Sequence, residues 1–154
     1  MKHLNLCSVF IAATMVLASA TLAWSLGCTA SATPIAFGMY QPLLGTDAVS
    51  VSTITYTCSG VKGRVRIGLS SGDSGSFNAR VMNQGGKKLE YNLYLDPTGL
   101  SVWGDGTGGS QVYTANNPAD GAVVNLIVYG RVQAGQQAVT AGIYHDSVSV
   151  FADP

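Results

Sequence analysis

Two stretches of strict alternation constrain the fold more than anything else in the chain. Val65, Ile67 and Leu69 alternate with Arg64 and Arg66, and Leu89, Tyr91, Leu93 and Leu95 alternate with Glu90, Asn92 and Asp96. A period of two sends successive side chains to opposite faces, the pattern of a strand with one dry and one wet side. No stretch of the chain beyond the first twenty-odd residues shows a sustained helical period. The run Val49 to Cys58 alternates too, but its apolar phase shifts between Val51 and Ile54, which predicts a bulge. Ala122 to Val132 is apolar in both phases and predicts a central strand covered on both faces. Tyr144 to Phe151 predicts a final strand with Val148 and Val150 on one face, and a strand near Cys28 to Ile35 brings the main strands to about six.

Turn chemistry separates these strands. Ser70 to Gly75, Gly85-Gly86, Trp103 to Gly109 and Asn116-Asn117-Pro118 concentrate Gly, Ser, Asn and Asp, and the chain holds 19 glycines in all. Short strands at this spacing predict an all-β sandwich in one domain over residues 24–154.

Residues 1–23 read as a signal peptide. Lys2 and His3 precede an apolar run from Leu4 to Ala20, interrupted by Asn5, Ser8 and Thr14 and too short for a membrane span. Small residues permit cleavage after Ala20 or after Ala23, and the second is the expected site. Cys7 leaves with this segment, so the three cysteines become the pair Cys28 and Cys58 in an oxidising compartment, and the default expectation is one disulfide. Lipidation of Cys28 is the competing reading, with Ser25 standing where a lipobox wants Leu. Once Lys2 is removed, the eight Lys and Arg residues become seven, set against eight Asp and Glu without runs. That balance favours neither nucleic acid nor an anionic membrane as partner.

The motifs that suggest chemistry lack their context. Gly68-Leu69-Ser70-Ser71-Gly72 matches G-x-S-x-G, with His145 downstream, but that motif needs a strand, a sharp turn and a helix, and a second glycine-rich turn follows here instead. His145 is the only histidine after the signal peptide, which leaves no zinc or copper cluster. Asp105 alone cannot supply the six or more oxygens of a calcium loop. No cofactor is implied. Tyr40, Trp103 and Tyr113 are candidates for an aromatic surface that stacks on a glycan, against the plainer reading of core aromatics with hydroxyls at the sandwich edge.

Seven short blocks then stand in order: Cys28-Thr29-Ala30-Ser31-Ala32, Phe37-Gly38-Met39-Tyr40, Tyr56-Thr57-Cys58, Leu89 to Tyr94, Trp103-Gly104-Asp105-Gly106, Val128-Tyr129-Gly130-Arg131 and Tyr144 to Val150. Together they resemble the spore coat protein U domain family over essentially the whole mature chain. The family includes subunits of archaic, Csu-type chaperone-usher pili. The resemblance therefore implies an immunoglobulin-like sandwich that lacks its last strand and exposes a hydrophobic groove. A periplasmic chaperone strand would fill the groove first, and a strand of another subunit would replace it at the outer-membrane usher. Main-chain hydrogen bonds give such strand addition its affinity and alternating pockets give it specificity.

On this reading Val148 and Val150 line the groove, facing Leu89, Tyr91 and Leu93 or Val65 and Ile67 across the core. The final strand would leave an open edge, because only Ala-Asp-Pro follow Phe151. The expected location is the periplasm in transit and then the cell surface. Cleavage after Ala23 would leave only Trp24 to Gly27 ahead of the first cysteine, so the subunit is expected to accept a strand and donate none, as at a fibre tip or other terminal position. Two alternatives remain: a self-contained coat or adhesin domain that binds through Tyr40, Trp103 and Tyr113, and a secreted serine hydrolase using Ser70.

Overall fold

The computed structural model describes residues 26–154; the expected signal peptide and its cleavage sites lie outside them. The described residues form β1 (Gly27–Ala32), β2 (Ala48–Ser59), β3 (Arg64–Leu69), β4 (Arg80–Gln84), β5 (Lys87–Tyr94), β6 (Tyr113–Asn116), β7 (Val123–Val132) and β8 (Val150–Asp153), with one turn of 3-10 helix at Gly72–Ser74. All ladders are antiparallel. One sheet has the order β1-β2-β7-β5-β4 and the other β6-β3-β8. Ile54, Tyr56, Leu89, Leu93 and Val128 from the first sheet and Val65, Ile67 and Leu69 from the second close on one core, giving an all-β, immunoglobulin-like sandwich.

The alternations at 64–69 and 89–95 become β3 and β5, with Val65, Ile67, Leu69, Leu89, Tyr91 and Leu93 buried. Elsewhere four expectations change. The β2–β7 register runs unbroken from Ala48↔Val132 to Thr57↔Val123, so β2 has no bulge. Its phase shift is a change of face: Val49 and Val51 point outward and are 68% and 63% exposed, while Ile54, Tyr56 and Cys58 point inward. Ser52, inward between them, donates its hydroxyl to the Thr33 carbonyl, which satisfies a buried polar group at the core edge.

Strand β7 is central in its sheet but covered on one face only. Val128 and Val132 are buried, whereas Val123 and Ile127 are 66% and 54% exposed. An antiparallel sheet keeps a wet face, and β-branched residues suit a strand there without being buried. The final strand starts at Val150 rather than Tyr144 and runs to Asp153. Two further strands appear, β4 and β6. The turn between β4 and β5 is the two-residue loop Gly85-Gly86, both at positive φ, 52° and 82°, the backbone that a tight hairpin requires and glycine supplies.

Asn92, expected on the wet side of β5, is buried with Arg80. Arg80 is fully enclosed: Nε and Nη2 donate to the Ser70 carbonyl (3.1 and 2.8 Å), Nη2 to the Trp103 carbonyl (2.7 Å) and Nη1 to Asn92 Oδ1 (2.7 Å). The guanidinium lies 5.3 Å from the Phe77 ring centroid. Burial pulls its pKa below the usual guanidinium value, partly offset by Tyr91, Asp146 and Tyr94. One side chain thus ties β4 to β5, to the turn after β3 and to the Trp103 loop.

Cys28 and Cys58 form a disulfide between directly opposed residues of β1 and β2. Closing a loop of 30 residues stabilises the fold by roughly 3–4 kcal/mol in the chain-entropy picture. It anchors β1, which among the described residues is an edge strand with a neighbour on one side only.

Candidate functional site

The candidate site is built from main-chain groups that lack partners among the described residues. Cys28 and Cys58 have Cα atoms 4.1 Å apart, the spacing of a pair that exchanges no main-chain hydrogen bonds. Thr33, five residues on and therefore in the opposite phase, donates its N–H to the Thr53 carbonyl at 2.9 Å. Hence Gly27, Thr29 and Ser31 bond to β2, and the N–H and C=O groups of Cys28, Ala30 and Ala32 turn toward the free edge.

Strand β8 reads the same way. Ser70 N–H donates to the Ser149 carbonyl at 2.9 Å, while Leu69 N–H points away, to Gly104. In this register Phe151 and Asp153 bond to β3, and Val150 and Ala152 direct their main-chain groups outward. Among the described residues β1 and β8 approach within 8 Å between Cα atoms, yet no ladder joins them. Two flanking strands with a third between them stand about 9.6 Å apart, so insertion parts them slightly.

From this pair of edges a furrow continues along the chain segments that follow β1 and precede β8. A cleft of about 400 Å³ lies between residues 32–35 and 146–149, floored by Ile54, Leu69, Tyr91, Leu93 and Val128. A second, of about 490 Å³, lies between residues 37–40 and 139–144, lined by Phe37, Met82, Leu89, Val132 and Val139. Fully extended, Ala32 to Tyr40 would span roughly 26 Å at 3.3 Å per residue, room for a strand of ordinary length. The walls of β1 are small, Ala30 and Ala32, which leaves volume for another chain's side chains.

Of the residues expected at the groove, Tyr91, Leu93 and Val148 line the first cleft and Leu89 the second. Val150 is half-buried against the core on β8. Val65 and Ile67 line neither cleft; they are fully buried on β3, the inner strand of their sheet, behind the furrow. Asp146 and Ile35, not anticipated at this site, also line the first cleft. Tyr91 donates its hydroxyl to Asp146 Oδ2 at 2.7 Å. Burial, and then the bond to Asp146, pushes the Tyr91 phenol well above its ordinary pKa, so it stays a donor.

The aromatic candidates do not make a stacking surface with Trp103, which is fully buried with its indole N–H on the Ile67 carbonyl at 2.9 Å. Its ring fills the core beside β3 and presents no face to a ligand. Tyr40 accepts from the Gln136 N–H and donates to the Gln133 carbonyl, and Tyr113 tilts against Tyr56 at 6.3 Å between centroids. The Ser70 hydroxyl oxygen accepts from the N–H groups of Ser149 (2.9 Å) and Gly72 (3.4 Å), and a single 3-10 turn follows where the hydrolase motif needs a helix.

The comparisons with known proteins bear on the family and the fold. The family model of the Spore Coat Protein U domain matches residues 13–151. No curated protein matches the chain. A chain of the crystal structure described as the CsuC-CsuE chaperone-tip adhesion subunit pre-assembly complex from archaic chaperone-usher Csu pili of Acinetobacter baumannii superposes with a TM-score of 0.55 at 22% identity. The match covers 82% of the present chain and 39% of that one, and the likeness is one of fold. The chain belongs to the Spore Coat Protein U domain family.

Proposed function

We propose that this protein is a structural subunit of a chaperone-usher surface fibre, which captures a β-strand of a partner in the furrow between β1 and β8. The carrying observation is the pair of facing edges, Cys28, Ala30 and Ala32 on one side and Val150 and Ala152 on the other, whose main-chain groups lack partners among the described residues, continued by an apolar-floored cleft between residues 32–35 and 146–149. An inserted strand would satisfy both edges and fill the clefts with alternate side chains. Family membership and the fold shared with a pilus chaperone-subunit complex support the reading. The partners on this account are a periplasmic chaperone that lends a strand during transit, an outer-membrane usher, and neighbouring subunits at the cell surface. Strand exchange breaks and makes hydrogen bonds only, so the function needs no catalysed reaction and no cofactor.

Periplasmic expression with and without a candidate pilus chaperone, followed by size-exclusion chromatography, tests the proposal. The expected result is a stable one-to-one complex, with the lone subunit recovered folded but in low yield and prone to aggregate through its open edges. A soluble, cooperatively unfolding monomer that ignores the chaperone would overturn it and favour a self-contained coat or adhesin domain.

A further inference from the structure

The regular ladder between β3 and β8 ends at Leu69 and Val150, because β3 runs into the turn that begins at Ser70. Four residues of β8 make a short template for an added strand. The preceding segment, residues 146–149, has no ladder of its own, yet it forms one lip of the first cleft.

Two polar clasps hold that lip in line with β8. Ser70 N–H donates to the Ser149 carbonyl and Ser149 N–H to Ser70 Oγ, both at 2.9 Å. Beyond it, Asp146 Oδ1 accepts from Asp73 N–H at 2.8 Å and Ser147 N–H at 2.7 Å, while Oδ2 accepts the Tyr91 hydroxyl at 2.7 Å. The carboxylate therefore joins the lip to the 3-10 turn and, through Tyr91, to the opposite sheet. Gly72 makes the approach possible: it sits at φ +66°, and a Cβ there would collide with the Asp146 carboxylate.

We infer that Asp146, with Ser70 beside it, is a positioning residue for strand capture, extending the acceptor edge from the four residues of β8 to residues 146–153. By the alternation set at Ser149, Val148 then presents its main-chain groups to the furrow in the same phase as Val150 and Ala152. The edge grows to roughly 23 Å, within the usual range of strand lengths. This rests on the strand-acceptor reading above and adds which part of the acceptor edge depends on side chains.

The test uses the disulfide-bonded mature chain and labelled peptides of alternating valine and threonine, four or eight residues long between flanking lysines, with affinity read by fluorescence anisotropy. Wild type is expected to bind the longer peptide roughly tenfold or more tighter, since four further residues add main-chain hydrogen bonds along the edge. In Asp146→Ala the gain from length is expected to vanish, the loss falling mainly on the longer peptide. Tyr91→Phe keeps the ring and the fold, loses only the hydroxyl and is expected to lose part of the gain; it decides the matter should Asp146→Ala fail to fold. A full gain from length in these variants, or equal losses for both peptides, overturns the inference. Wild type binding neither peptide would instead overturn the strand-acceptor reading itself.

Discussion

Val148→Asp is expected to abolish strand capture while leaving the subunit able to fold. Val148 is half-buried on the lip of the first cleft, so in the free chain a carboxylate there still reaches water. In the filled groove the same carboxylate would be enclosed by an inserted strand over Leu93, Leu69 and Val128, two residues from Asp146 and with no cation in the cleft lining. Burying an unpaired charge costs several kcal/mol, and 1.4 kcal/mol is tenfold in affinity, so capture should fall by roughly 100-fold or more. Thr29→Asp, on the exposed outer side of β1, is the control and should change capture less than threefold, a surface substitution being worth roughly 0.5 kcal/mol or less. Pull-down of the two variants by an immobilised chaperone measures this. Undiminished capture by Val148→Asp would place the acceptor site elsewhere.

The second large effect is on the fold. Arg80→Met is expected to destabilise the disulfide-bonded chain by roughly 3–5 kcal/mol, the usual cost of breaking a buried charged network. The substitution strips the Ser70 and Trp103 carbonyls of their side-chain donor in a buried setting, at about 1–3 kcal/mol each, and removes the stacking on Phe77. Asn92 Oδ1 keeps the Leu93 N–H at 3.0 Å and loses less. Against a total of about 5–15 kcal/mol for a domain, this is a large share. Arg80→Lys should fall between, because an ammonium keeps the charge but cannot fork over both carbonyls. Urea unfolding of the two variants gives the order; Arg80→Met within 1 kcal/mol of wild type would mean the network is not holding the turn after β3.

How much of this was legible beforehand depends on the length and phase of each element. β3 and the first half of β5 were readable because their apolar residues alternate with exposed polar ones, although Asn92 and Tyr94, on the other face of β5, are buried as well. β4 and β6 were not, being four or five residues long and mixed in polarity; only Gly85-Gly86 pointed to a hairpin. The valines of β2 and β7 misled because strand propensity and burial draw on the same residue types, so an exposed Val51 reads like a buried one. Of the residues that line the two clefts, Leu89, Tyr91, Leu93 and Val148 were legible from alternation, since a cleft between two sheets takes its floor from core-facing residues. Asp146 and Arg80 were not, because what matters at each is a set of partners distant in sequence: Tyr91 and Asp73 for the carboxylate, Ser70, Asn92 and Trp103 for the guanidinium. Ser70 was noticed for the wrong reason. The glycines around it serve a tight turn, and its hydroxyl clasps the last segment of the chain.

Residue-resolved hydrogen exchange of the mature chain, alone and with a bound strand, tests the central claim most directly. Within β1 and β8 the amides should separate by phase: Thr29, Ser31, Phe151 and Asp153, bonded to β2 or β3, exchange slowly, while Cys28, Ala30, Ala32, Val150 and Ala152 exchange fast in the chain alone and become protected once a strand is captured. Slow exchange of both sets in the chain alone would mean that the edges are already paired and the sandwich is closed, contradicting the account.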